Sequence, residues 1–328
     1  MPPLLHVKDL KTYYVGFRGT RVVKAVDGVS FSLEAGETFG LVGESGCGKT
    51  TTCHSIVRLL PPSARIVDGS IELEGEDLLQ KSPGEIRAIR GRVIATILQD
   101  PMASLDPLFS IYDQVAEPAY YHQGLRGGKL RQRVRELLTA VRIPSPEVRM
   151  REFPHQMSGG MRQRIVGAIA QAGGPKIIIA DEPTTNLDVT IQLQYLNLLK
   201  DLQRATGVAL IFVTHNLGIV AKMCDKVAVM YAGKIVELQS VRGLFYHPRH
   251  PYTRALLDSM PKLGTKEPLY AIPGQPPDLA ALPAGCSFHP RCAYAMDRCR
   301  IEAPAEQSMA DGATAKCWLS NGEDSTED

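Results

Sequence analysis

The chain has 328 residues, 44 % of them hydrophobic and 22 % charged, which suits one large domain with an appendage or two modest ones around a substantial core. A formal net charge of +2 gives no basic footprint for nucleic acid and no polybasic patch for a membrane surface. No stretch approaches the roughly 18 uninterrupted apolar residues of a membrane-spanning helix, and Met1-Pro2-Pro3-Leu4-Leu5-His6 lacks the charged-then-apolar order of a signal peptide, so a cytoplasmic chain is expected.

Residues 5–10 and 22–29 carry β-branched and apolar side chains at strand spacing, and 30–33 alternate polar with apolar. A turn at 34–37 leads to a short apolar strand at 38–42, a glycine-rich loop, and a helical run over 50–60 ended by Pro61-Pro62. Asp68-Gly69-Ser70 predicts a turn into a strand at 71–73, and another strand is expected at 92–98. From Pro101 to about Gln163 the pattern becomes helical, with Leu130, Val134, Leu137, Leu138 and Val141 on one face. Segments 177–180, 189–206, 208–214, 217–223 and 227–231 then alternate strand with helix. The fold class is therefore α/β, a mainly parallel sheet covered by helices. Nine prolines crowd between Pro248 and Pro290, so little regular structure is expected beyond about Leu244 and that region needs another way to hold its shape. No internal repeat is evident, and residues 321–328 read as a disordered acidic tail.

Gly43-Glu44-Ser45-Gly46-Cys47-Gly48-Lys49-Thr50, followed by Thr51, fits G-x-x-x-x-G-K-[ST] between a strand and a helix. Glycines let backbone N–H groups approach phosphate oxygens, Lys49 reaches the β- and γ-phosphates, and the Thr50 hydroxyl suits Mg²⁺. The pattern predicts a nucleotide site. Cys47 is read as a small filler, with a thiol activated by the helix N-terminus as the alternative. Ile177-Ile178-Ile179-Ala180-Asp181-Glu182 is an apolar strand ending in two acids. Asp181 is expected to hold Mg²⁺ and Glu182 to polarise the attacking water.

Ser158-Gly159-Gly160, flanked by Met157 and Met161 where Leu and Gln are usual, resembles the signature sequence of ABC ATPases. The resemblance implies that Ser158, Gly159 and Gly160 bind the γ-phosphate of ATP on an opposing subunit. It assigns Gln99 to the loop that contacts Mg²⁺ and membrane subunits, and Asn186-Leu187-Asp188 to a cross-subunit loop. It also makes His215 a γ-phosphate sensor and Tyr14 the adenine-stacking residue, with Tyr13 competing. The implied architecture is an ABC-type P-loop nucleotide-binding domain over 4–245, with a helical subdomain at about 100–163. A small irregular Cys/Pro-rich C-terminal domain follows over 246–320.

His250-Pro251-Tyr252-Thr253-Arg254-Ala255-Leu256-Leu257, the Pro273–Pro277 run and Gly285-Cys286-Ser287-Phe288-His289-Pro290-Arg291-Cys292 resemble the C-terminal extension of dipeptide and oligopeptide importer ATPases. Importers of nickel and other small solutes share this group. The resemblance implies a second ABC ATPase subunit (a distinct homologous chain), two transmembrane permease subunits and an extracytoplasmic solute-binding protein, with the chain peripheral on the cytoplasmic face of the membrane. The helical region around 100–160 is expected to receive the permease helices. A soluble ABC ATPase of DNA repair or translation, and a cassette that binds ATP without hydrolysing it, are the competing readings.

An odd count of seven cysteines without an export signal argues against a disulfide framework. Cys286, Cys292, Cys299 and Cys317 are spaced C-x5-C-x6-C-x17-C, which four thiolates on Zn²⁺ or a [4Fe–4S] cluster would suit; the resemblance favours the cluster. Four small buried residues are the plainer reading. His289 is either a surface histidine or a substitute ligand.

Overall fold

A computed structural model describes residues 2–16, 21–185, 187–261 and 270–321. Asn186 of the expected cross-subunit loop and residues 322–328 of the expected tail lie outside them. The chain divides into two compact units that alternate along the sequence, one built chiefly from Leu33–Thr38 and Asp77–Val213, the other from Leu5–Ser32, Phe39–Glu76 and Thr214–Asp328.

The first unit carries parallel strands Ile94–Ile97, Ile177–Asp181 and Ala209–Thr214, in register Ile94↔Ile177 and Asp181↔Val213. Every residue of the latter two strands is buried, which is why they read as unbroken apolar runs rather than alternating ones. The expected helical insertion contains Ile111–Gln123, Gly127–Ala140 and Gly159–Ala172. Leu130, Val134, Leu137 and Leu138 form the buried stripe of the second of these. The long helix Val189–Thr206 buries Tyr195, Leu196, Leu198, Leu199 and Leu202, and Gly207 ends it in the left-handed conformation.

The second unit contains an antiparallel sheet in which Leu5–Val15 lies between Val22–Leu33 and Ala64–Leu73. The two short strands expected over 22–33 are one. The turn expected at 68–70 is also absent: these residues run inside the strand, where the pairing register slips between Lys8 and Thr12. Gly69 sits at φ +94°, and a Cβ there would lie 2.6 Å from the carbonyl oxygens of Lys8 and Asp9. The Asp-Gly-Ser signal thus marks a β-bulge, which calls for the same residue types as a turn.

In the same unit Thr38–Val42 runs parallel to Lys226–Tyr231, which pairs antiparallel with Lys234–Ser240. The C-terminal region extends this sheet, with Glu237 opposite Ala315 and Leu238 opposite Thr314. The helix after the glycine-rich loop is Lys49–Ile56, shorter than the expected 50–60, because Arg58 turns left-handed at φ 50°. Among the described residues beyond Leu244 the longest helix is Pro251–Asp258, opened by Pro251 at its first position. What holds the proline-rich region is an apolar cluster joining Val227, Val229 and Tyr231 to Leu244, Tyr252 and Phe288. No helix among the described residues is long and apolar enough to cross a membrane.

Candidate nucleotide site

In the second unit the loop 43–48 leaves the buried strand Thr38–Val42 and enters the helix Lys49–Ile56. Gly48 occupies φ 108°, and a Cβ there would meet the Ala25 carbonyl oxygen at 2.0 Å, so the loop closes only around glycine. Lys49 is 5 % exposed and its Nζ donates to the carbonyls of Gly43 (2.8 Å) and Glu44 (2.9 Å), which aims the ammonium over the loop. Ser45, Gly46 and Thr50 are exposed beside it. A glycine-lined cradle at a helix start, holding a lysine and an exposed threonine hydroxyl, fits a polyphosphate with its divalent cation. Tyr14 Oη lies 3.3 Å from Thr51 Oγ1, whereas Tyr13 Oη donates to Asp27 at 2.6 Å and is pushed up to about 12 by burial and that carboxylate. Tyr14 is therefore the aromatic tied to the loop helix. His215 follows the strand Ala209–Thr214 and is exposed.

The Cys47 thiol is buried and burial pushes its pKa up, against the pull of Lys49 Nζ at 3.7 Å. Desolvation outweighs the pull of the lysine here, which favours the small-filler reading over an activated thiol.

The first unit carries the other site residues. Asp181, 6 % exposed, ends its strand, and Glu182 follows with φ 45°, a conformation that costs a non-glycine residue about 1 kcal/mol or more. Its N–H donates to the Val213 carbonyl at 3.0 Å. The Glu182 carboxylate accepts from Gln99 Nε2 (3.2 Å) and Thr185 Oγ1 (3.0 Å), so the structure brings Gln99 and Glu182 together. Ser158 caps the helix Gly159–Ala172, its Oγ accepting from Met161 N–H at 3.3 Å, with Gly159 exposed in the first turn. Gly160 allows close packing, since a Cβ there would lie 2.8 Å from Ile191. Asp188 caps Val189–Thr206, accepting from Thr190 and Ile191 N–H at 3.1 and 3.0 Å.

Two residues that the sequence motifs do not assign to the loop also touch it. Arg291 grips Glu44 with both ends of its fork, Nη1 to Oε2 at 2.7 Å and Nη2 to Oε1 at 3.0 Å. The Tyr252 hydroxyl accepts the Glu44 N–H at 2.9 Å. The two C-terminal motifs that contain them, His250–Leu257 and Gly285–Cys292, single them out as part of the extension but not as loop partners, because both lie more than 200 residues from the loop in sequence.

Cys286, Cys292, Cys299 and Cys317 line one small pocket with His289 and Trp318. All are free thiols, and burial pushes Cys286, Cys292 and Cys317 up, Cys317 to about 11, with the neighbouring thiols adding to the effect. His289 Nδ1 contacts the Cys286 carbonyl oxygen at 2.9 Å. Among the described residues no group of three or more His, Cys, Asp or Glu side chains is arranged to hold a metal ion. The arrangement of the described residues therefore lends no support to Zn²⁺ or to a [4Fe–4S] cluster.

The family model described as ABC transporter matches residues 26–185, and that described as oligopeptide/dipeptide transporter, C-terminal region, matches 236–299. The chain is 48 % identical over 321 residues to the dipeptide transport ATP-binding protein DppD of Bacillus subtilis, covering 97 % of this chain and 95 % of that one. It is 48 % identical over 319 residues to the oligopeptide transport ATP-binding protein OppD of the same organism, covering 96 % and 88 %. A solved structure of the ATP-binding cassette MJ0796, dimeric and bound to ADP and Pi after hydrolysis, matches with TM-score 0.64 and 26 % identity, over 73 % of this chain and 99 % of that one. Phosphate loop, acidic strand end and capped Ser-Gly-Gly helix thus occur in one sequence with this extension, and the chain belongs to the ABC transporter ATPases, in the group that carries the oligopeptide/dipeptide transporter C-terminal region.

Proposed function

We propose that this chain hydrolyses ATP to power a membrane importer whose cargo is dipeptides or oligopeptides. The observation that carries this is the likeness, along nearly the whole chain, to ATP-binding proteins named for dipeptide and oligopeptide transport. Those names favour peptides over the nickel-importer and soluble-ATPase alternatives.

In this reading residues 43–51 bind the phosphates, Tyr14 stacks on adenine and Lys49 neutralises charge on the transferred phosphoryl group. Thr50, Asp181 and Gln99 are the residues that would hold Mg²⁺, which supplies charge neutralisation on the phosphates. Glu182, already oriented by Gln99 and Thr185, draws a proton from the attacking water, and His215 senses the γ-phosphate. Ser158, Gly159 and Gly160 offer a helix start to the nucleotide of a second subunit, with Asp188 beside that junction. The dimeric state of the solved MJ0796 cassette supports such pairing. A distinct homologous ATPase, two permease subunits and an extracytoplasmic solute-binding protein complete the assembly, with this chain peripheral on the cytoplasmic face. The domain limits 4–245 and 246–320 belong to the same reading.

Glu182→Gln should cut ATP turnover at least a hundredfold while nucleotide stays bound, read by phosphate release and by nucleotide retained on the purified complex. Unchanged turnover would remove Glu182 from the mechanism. The C-x5-C-x6-C-x17-C spacing of Cys286, Cys292, Cys299 and Cys317, not their geometry, is what supports an iron–sulfur cluster in the C-terminal domain; iron- and sulfide-free protein from anaerobic purification would rule it out.

A further inference from the structure

The second residue of the phosphate loop is a carboxylate, Glu44, placed where a ligand rich in negative charge is to bind. Left alone it would repel phosphate and disfavour the loop's function. The structure meets this charge from the far end of the chain. Arg291, whose side chain is 4 % exposed, makes a bidentate pair with Glu44, and that carboxylate raises its pKa. Its Nε donates to the Pro273 carbonyl at 2.9 Å and its Nη1 to Tyr231 Oη at 3.4 Å, so the guanidinium is fixed on three sides. Tyr252, fully buried, takes the Glu44 N–H, and its ring packs on Tyr231 at 4.6 Å and Phe288 at 5.3 Å.

We infer that Arg291 and Tyr252 are positioning residues of the nucleotide site: the C-terminal extension cancels the loop's own negative charge and fixes Glu44, and so sets ATP affinity. This rests on the reading of the loop as an ATP site. Acting through charge, Arg291 discriminates by ligand charge, favouring ATP over ADP, which carries one negative charge fewer.

The test is equilibrium binding of Mg-ATP and Mg-ADP to the purified full-length chain and to Arg291→Gln, Arg291→Lys, Glu44→Gln and the double Glu44→Gln/Arg291→Gln variant. Arg291→Gln should weaken Mg-ATP roughly tenfold, the range of a lost charge-assisted pair, and Mg-ADP less. The deficit should shrink as salt is raised, and Arg291→Lys should recover part of it. Removing the carboxylate as well should restore affinity, because no charge is left to cancel. A double variant as weak as Arg291→Gln, or an Arg291→Gln chain that is unfolded in both backgrounds, would overturn the inference and make Arg291 a folding residue. So would wild-type affinity in Arg291→Gln. If the wild-type chain itself binds no Mg-ATP, the ATP reading fails first.

Discussion

His250 opens the helix Pro251–Asp258 with its ring: Nδ1 accepts the Tyr252 N–H at 3.0 Å, which requires a neutral imidazole. Its own N–H donates to Glu237 Oε2 at 2.8 Å, and burial holds its pKa down at about 3. Because the folded value lies below the unfolded one, the unfolded chain binds the extra proton. Stability from this residue is complete above about pH 6.5 and is lost as pH falls from there towards 3, by about 1.4 kcal/mol per unit. His250→Asn keeps a capping acceptor and removes the titration. Urea midpoints of the two proteins should therefore diverge between pH 7.5 and 5.5, with the wild type losing more. Glu237, pushed up by burial, titrates in both and cancels in the difference. Parallel pH curves would show that His250 does not titrate in this window.

At the scale of elements, caps decide more than composition does. Asp188 satisfies two N–H groups at the start of an 18-residue helix. Asp188→Ala should lower unfolding stability by about 1 kcal/mol, while Asp188→Asn should lose far less, as measured by denaturant titration. Equal losses would mean that the acid's charge, not its capping oxygen, is what matters. The phosphate loop, acidic strand end, helical insertion and later strand–helix alternation are legible because each is written in adjacent residues. Asp68-Gly69-Ser70 reads as a turn because a bulge and a turn demand the same chemistry from the backbone. The helix after the loop reads too long because its end depends on Arg58 turning left-handed without a glycine to announce it. Arg291 and Tyr252 are not legible as site residues, since no local pattern records a contact made across most of the chain.

At the scale of the molecule, the proline-rich extension is not a free appendage of the second unit. Tyr252 and Phe288 share a buried cluster with Tyr231, Val227 and Val229, and Thr314–Ala315 pairs with the strand Lys234–Ser240. A chain cut after residue 245 loses both aromatic side chains, at about 3–5 kcal/mol each, against a total stability on the order of 5–15 kcal/mol. Such a fragment should show a markedly lower urea midpoint and expose Tyr231 fluorescence to solvent. A fragment as stable as the full chain would mean that the cluster contributes little.

The pair between Glu44 and Arg291 spans 247 residues. At roughly 5–20 residues per second of synthesis, a ribosome delivers the arginine on the order of 10–50 s after the carboxylate. For that interval the nascent phosphate loop carries its repelling charge uncancelled, and the first unit's strands are synthesised within it. If Arg291 sets ATP affinity as inferred, a growing chain acquires its full grip on ATP only once residue 291 is in place, so translation products cut short of it would compete poorly for nucleotide.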